Sequence, residues 1–250
     1  MNRSKKEKEK VQQFKTITGA SDKIALDCLR ATGWGIEAAI EYFYASGLQG
    51  AVPNVDMRAI EALFTRYKGE PAGQGRARVA AGGDPSDGVI MAEGVGRFCD
   101  DLEVDPSDIV MLVLSWRLNA ATMCEYSREE FVGGLQQLGC DSLEKLKRRL
   151  PDIRADLRDP AKWREIYNYA FNWAKGKNQK CLQLDVAVGM WQLLFAEDRA
   201  WQHVDAWCGF LQKQHNRAIS RDTWVQLFEF ARAVKPDFSN FDESAAWPYL

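Results

Sequence analysis

The chain has 250 residues, 46% apolar and 27% charged, with 33 Lys and Arg against 35 Asp and Glu for a formal charge of −2. That is ample material for a buried core, and the charge balance excludes a general nucleic-acid binder, whose phosphate affinity rests on accumulated cations. No apolar run approaches the length of a membrane span, and the opening MNRSKKEKEK lacks the apolar stretch of a signal peptide, so neither a nucleic-acid nor a membrane partner is expected.

Residues 7–46 read as a minimal three-helix unit. Val11, Phe14 and Ile17 share one helical face. Ser21 can cap a second helix carrying Ile24, Ala25, Cys28 and Leu29. After Gly33-Trp34-Gly35 a third helix carries Ile36, Ala39, Ile40 and Phe43. A second region, 54–250, opens with a helix over 54–68, where Met57, Ile60, Leu63, Phe64 and Tyr67 recur at helical spacing. From 69 to 88 the composition collapses into Gly, Ala, Pro and Arg, the signature of a flexible loop.

The stretch 97–131 is the most informative. Its dense apolar segment, 109–118, follows Asp105-Pro106-Ser107-Asp108, which supplies an N-cap acid, a proline at the first helical position and an acid at the third. Thr122-Met123-Cys124-Glu125-Tyr126 reads as a short extended piece, and Ser127-Arg128-Glu129-Glu130 as a capping box opening the next helix. The concave side of this corner, lined by Met, Leu, Cys and Tyr, is either plain core or a socket for a partner's apolar side chain.

Helix follows helix beyond it. Asp141-Ser142-Leu143-Glu144 reads as another capping box and Asp159-Pro160 as an N-cap with proline behind it. The helix after Asp159 carries Trp163, Ile166, Tyr167, Ala170, Phe171 and Trp173. An extended piece, Cys181-Leu182-Gln183-Leu184, precedes an apolar helix over 185–195 and an amphipathic one with Trp201, Val204, Cys208 and Leu211. A second piece, Arg217-Ala218-Ile219, ends at Ser220, which can cap a helix with Trp224, Leu227 and Phe228. Helix, short strand, helix thus recurs twice. The fold expected is all-α, with an EF-hand-like multi-helix domain and two minor short-strand pairings.

Familiar chemistries fail on residue count. Aligning Asp84-Pro85-Ser86-Asp87-Gly88 to a calcium loop puts Gly83 and Pro85 at oxygen-ligand positions and Gly94 where a bidentate Glu is needed. Six cysteines (Cys28, Cys99, Cys124, Cys140, Cys181, Cys208) stand apart without a CxxC pair and read as reduced, mostly buried thiols, Cys124 included. His203 and His215 sit in no zinc motif, and the glycine pairs follow no strand of a phosphate loop. The basic run 145–149 reads as a solvated helix face that can also steer an acidic partner. No catalytic residue, metal site or cofactor is expected.

Several blocks in one order resemble the defective-in-cullin-neddylation (DCN-like) family. They are Phe98-Cys99-Asp100-Asp101-Leu102, Asp105-Pro106, Ser115-Trp116-Arg117, Ala120-Ala121-Thr122 and Cys124-Glu125-Tyr126-Ser127, then Leu138-Gly139-Cys140-Asp141-Ser142, Phe171-Asn172-Trp173-Ala174-Lys175, Asp222-Thr223-Trp224 and Ala246-Trp247-Pro248. The resemblance runs from about residue 8 to the end. It implies a UBA-like bundle over 7–46 and a potentiating-neddylation domain over 54–250, in a protein of the cytoplasm and nucleus.

The resemblance also implies a non-catalytic co-ligase. Such a scaffold holds a charged neddylation conjugating enzyme close to a cullin and its RING subunit, speeding modifier transfer by proximity. A socket for the enzyme's N-acetylated methionine would be lined by Val95, Met111, Leu114, Ser115, Leu118, Cys124, Tyr126, Trp173 and Leu193. Leu118→Arg is expected to abolish that binding and leave the fold cooperative. The family's cullin contact uses an acid, an alanine and a further acid; Asp222 and Ala246 match the first two, and the third position falls after Leu250, which implies either a fragment or a weaker contact. The UBA-like bundle implies ubiquitin or a ubiquitin-like protein as a partner, with Thr18-Gly19-Ala20 standing where the usual pattern is methionine-glycine-aromatic. The alternative is an EF-hand-like adaptor that binds peptides and ubiquitin without promoting transfer.

Overall fold

The structure, a computed structural model, describes residues 5–20, 22–48, 55–68, 88–196, 199–244 and 247. Among these, helices dominate. In chain order they are α1 (Lys5–Thr18), α2 (Asp22–Ala31), α3 (Ile36–Ala45), α4 (Met57–Lys68), α5 (Ala92–Leu102) and α6 (Ile109–Arg117). There follow α7 (Arg128–Leu138), α8 (Leu143–Ala155), α9 (Pro160–Ala174), α10 (Leu184–Leu194), α11 (Val204–Phe210) and α12 (Arg221–Ala233). Two strands, β1 (Val89–Ile90) and β2 (Tyr126–Ser127), pair antiparallel, Val89 with Ser127 and Ile90 with Tyr126. The loop expected over 69–88, all but its last residue, and the Ser21 cap lie outside the described residues.

The chain divides into two compact units. The first draws on residues up to Leu102, on Arg117–Asn119 and on Tyr126–Arg149; the second on Glu103–Trp116, Ala120–Glu125 and everything from Leu150.

In the first unit, α1, α2 and α3 enclose Val11, Phe14, Ala25, Cys28, Leu29 and Phe43, with Phe14 meeting Phe43 edge-on at 5.8 Å. The face of α1 turned inward carries Val11, Phe14, Lys15 and Thr18, while Ile17 is 51% exposed. The core position expected for Ile17 from its spacing to Val11 and Phe14 is thus not found. Steps of three drift backwards around a 3.6-residue helix, and the buried stripe follows the mixed three-and-four spacing instead. Between α2 and α3 the chain reverses through left-handed Gly33 and Trp34; the Trp34 N–H donates to the Leu29 carbonyl (2.6 Å) and Lys10 Nζ to the Trp34 carbonyl (2.6 Å).

Further along the same unit an aromatic cluster holds α4, α5 and α7: Tyr67 meets Phe98 at 5.1 Å, and Phe98 meets Phe131 at 5.3 Å and Tyr126 at 6.4 Å. Gly94 lies so near α4 that a Cβ there would stand 2.0 Å from the Tyr67 carbonyl oxygen. The extended piece expected over 122–126 is a tight turn, and only Tyr126 and Ser127 form a strand. Cys124 takes a left-handed backbone (φ 59°), which no strand accommodates.

The helix starts follow the cap chemistry with two shifts of register. Ser127 and Glu130 close the capping box, Asp159 accepts from the Ala161 and Lys162 amides, and Ser220 accepts from the Thr223 amide. Asp105, however, turns onto Ser107, and α6 is capped by Asp108, which accepts the Val110 N–H at 2.8 Å. Arg154 Nη2 binds both Asp108 oxygens at 2.5 Å, and this pairing selects the second acid as the cap. Likewise Ser142, not Asp141, caps α8 through the Lys145 amide (3.3 Å), so the expected box with Glu144 is absent. Asp141 instead accepts from the Asp56 amide and Lys145 Nζ, which together hold its carboxyl below the usual carboxylate range, Lys145 contributing most.

The second unit is organised by one phenol. Tyr167 on α9 stacks on Trp224 of α12 at 4.8 Å and packs on Phe228 at 4.5 Å. Its hydroxyl donates to the Trp224 carbonyl (2.9 Å) and accepts from Trp191 Nε1 of α10 (2.9 Å), while Trp224 Nε1 donates back to the Tyr167 carbonyl (3.0 Å). All three rings are fully buried. Leu182 and Ile219 exchange two backbone hydrogen bonds, the second short pairing expected from the sequence. Tyr167→Phe would strand the Trp191 indole N–H in an apolar interior, and a buried unsatisfied donor costs about 1–3 kcal/mol. Urea unfolding should show that loss with an unchanged denaturant dependence.

Candidate functional site

The expected socket residues fall in both units: Val95, Leu118 and Tyr126 in the first, Met111, Leu114, Ser115, Cys124, Trp173 and Leu193 in the second.

Within the first unit, Val95 sits on the buried side of α5 and Tyr126 belongs to the aromatic cluster. Leu118 is 1% exposed and presses on α7, where a Cβ on Gly134 would stand 2.3 Å from Leu118 Cδ2 and 2.9 Å from its Cα. This changes what Leu118→Arg would do. A guanidinium in that space is a buried, unpaired charge costing several kcal/mol, so the substitution attacks the fold itself.

In the second unit, α6 is apolar on nearly every side, and Met111, Leu114 and Ser115 are all buried on it. The turn behind it is held firmly. Ala120 N–H donates to the Ser115 carbonyl (2.9 Å), Tyr169 hydroxyl to the Ala120 carbonyl (2.8 Å), and Met123 N–H to the Trp173 carbonyl (2.9 Å). Lys177 Nζ meets Glu125 Oε2 at 2.5 Å. Trp173 stacks on Tyr169 and is 8% exposed, and its indole Nε1 is buried without a hydrogen-bond partner among the described residues. The other indoles of this unit with assigned donors, Trp191, Trp224 and Trp247, are satisfied. An unpaired buried N–H is uncommon.

Two socket residues reach the surface. Leu193 on α10 is half-buried, and Cys124 is exposed, contrary to the buried thiol expected. The left-handed backbone at Cys124 turns this residue outward from the turn that Met123 anchors. Its thiol nonetheless keeps a raised pKa, first from the packed atoms around it and second from the Glu125 carboxylate. The result is an accessible but weakly nucleophilic sulfur.

Of the expected cullin contact, Asp222 stands exposed in the first turn of α12, and among the described residues no ion pair engages it. Ala246 lies outside the described residues. Among the described residues no cluster of His, Cys, Asp and Glu could hold a metal ion, and no helix is long and apolar enough to cross a membrane.

A family model described as cullin binding matches residues 145–250, and one described as a UBA-like domain matches residues 8–49, the three-helix bundle. The chain is 39% identical to DCN1-like protein 5 of Rattus norvegicus over 164 residues, covering 66% of this chain and 68% of that relative. Identity to DCN1-like protein 5 of Homo sapiens is 38% over the same shares. DCN1-like protein 3 of Xenopus laevis is 33% identical over 198 residues, 78% of this chain and 60% of the relative.

The exposures order the thiols by reactivity. In native protein iodoacetamide should modify Cys124 first, faster as pH rises toward and past 9, while buried Cys28, Cys99, Cys140 and Cys208 stay unmodified. Peptide mass spectrometry reads the order directly; early modification of any of the buried four would contradict the packing.

Proposed function

The chain belongs to the DCN1-like protein family, and we propose that it serves cullin neddylation as a non-catalytic scaffold. In this reading it grips the N-acetylated N-terminus of a neddylation conjugating enzyme, binds the C-terminal region of a cullin carrying its RING subunit, and raises the rate of modifier transfer. The chemistry belongs to the bound enzyme; the scaffold contributes by converting an encounter into a held geometry. The observation that carries the reading is the cullin-binding match over 145–250, whose helix α12 presents the unpaired acid Asp222 to solvent.

Physical chemistry supports the acetyl requirement. A free α-amino group is charged, and moving it among Met111, Leu114 and Trp173 would cost several kcal/mol of hydration. Acetylation removes the charge and leaves a neutral amide. In this reading an amphipathic helix follows the methionine and lays its apolar face on the scaffold beside half-buried Leu193. The UBA-like bundle adds ubiquitin or a ubiquitin-like protein as a second partner, and the setting proposed is the cytoplasm and nucleus.

Calorimetry with acetylated and unacetylated forms of the conjugating enzyme's N-terminal peptide tests the grip. Binding should need the acetyl group, should protect Cys124 from iodoacetamide, and should be lost in Leu193→Arg, a half-buried position where the fold survives. Equal affinity for the two peptides would defeat the reading. In a reconstituted transfer assay with cullin, RING subunit and charged enzyme, the chain should accelerate cullin modification; binding without acceleration would make it an adaptor.

A further inference from the structure

The second unit holds a hollow of 670 Å³ that the proposed contacts leave unused. Trp201, Trp207, Phe230, Phe238, Phe241 and Trp247 form most of its wall. Phe238 and Phe241 are 46% and 43% exposed at its edge, an uncommon state for two large rings so close in sequence. Trp207 also lines the space, and its Nε1 is buried with no hydrogen-bond partner among the described residues. An apolar cavity of this size suits a large apolar group such as one bulky side chain.

Charge identifies the kind of chain that carries this group. The segment bearing the two exposed phenylalanines also carries Asp237, Asp242 and Glu243 against the single cation Lys235. Asp237 accepts from the Ser239 amide (3.0 Å), and Asp242 accepts from both the amide (2.8 Å) and the hydroxyl (2.7 Å) of Ser244. These bonds hold both carboxyls below the ordinary carboxylate range, so the segment stays anionic under mildly acidic conditions as well. Every wall residue named lies inside the 145–250 match described as cullin binding.

We infer that this hollow anchors one bulky apolar side chain carried on a cationic segment of the cullin, in addition to the contact at Asp222. The inference rests on the cullin-scaffold reading and deepens it, dividing recognition between an aromatic socket and an acidic border. Buried aromatic and apolar anchors supply most of the binding energy at such surfaces, while border charges govern encounter and salt dependence.

The test uses the full chain and the C-terminal region of a cullin, titrated by calorimetry. Ala206, exposed on α11 at the wall of the hollow, is replaced in Ala206→Trp, which fills the space without touching the acids. The expected result is a Kd raised about tenfold or more, the worth of one buried apolar anchor, with an unchanged melting temperature. Phe241→Ala, which removes an exposed wall, gives the same loss and serves if the first variant does not fold. Asp222→Lys is the control for the parent reading. If Asp222→Lys abolishes binding while the hollow variants stay within about twofold of the parent, the hollow is not the anchor site and the scaffold reading stands. If the unaltered chain gives no binding, both fall. If Ala206→Trp instead changes the sedimentation of the chain alone, the occupant is a second copy and the inference is overturned.

Discussion

The hydroxyl of Tyr167 is the constraint on which the second unit depends. It ties a side chain of α9 to the backbone of α12 and receives the indole of α10, with the Trp224 indole closing a return bond to α9. Burial pushes this phenol well above its ordinary pKa, so it remains a neutral donor and acceptor at any pH the protein meets. The three helices so joined carry Trp173, Leu193 and Asp222. Stacked rings alone would tolerate sliding in the plane of contact, since dispersion has no preferred direction. Hydrogen bonds do have one, and they set the rotation of each helix about its axis.

Charge has a different task, placed at the ends of helices. Arg154 gives Asp108 its identity as the cap of α6, and Lys145 with the Asp56 amide takes Asp141 away from the α8 cap. Both are choices between neighbouring residues of similar chemistry, and each involves a group distant in sequence, Arg154 for Asp108 and the Asp56 amide for Asp141. Lys162, in the first turn of α9, meets buried Asp156 just before that helix. The aromatic interior thus fixes which helices meet, and the ion pairs fix where several of them begin.

Much of this was legible in the residues themselves. Capping chemistry at Ser127, Asp159 and Ser220 is local, so the helix starts there are where the pattern puts them. The pairing of Leu182 with Ile219 followed from two extended pieces each flanked by helices. What failed required tertiary knowledge. The partner strand Val89–Ile90 is too short to leave a periodic signal, the choice of Asp108 over Asp105 needs Arg154, and Ile17 faces water because the buried stripe of α1 drifts away from it. Among the expected socket residues, nothing in one dimension separates Leu118, locked against Gly134, from Leu193 at the surface. The aromatic hollow was missed because its rings are spread from Trp201 to Trp247 without a common period; the clustering of Phe238 and Phe241 among acids was the available clue.

The bridge between Leu182 and Ile219 bears on how the second unit assembles. Its two hydrogen bonds, at 2.9 and 2.7 Å, join backbone groups separated by both α10 and α11. Closing so long a segment loses chain entropy before those bonds return anything. Helices can form on local contacts, whereas this link needs Tyr167 of α9 to meet Trp224 of α12 and bring the segment ends together. The amides of Leu182 and Ile219 therefore act as a clasp fastened late, and hydrogen exchange at these two positions reports on opening of the whole α9–α12 assembly.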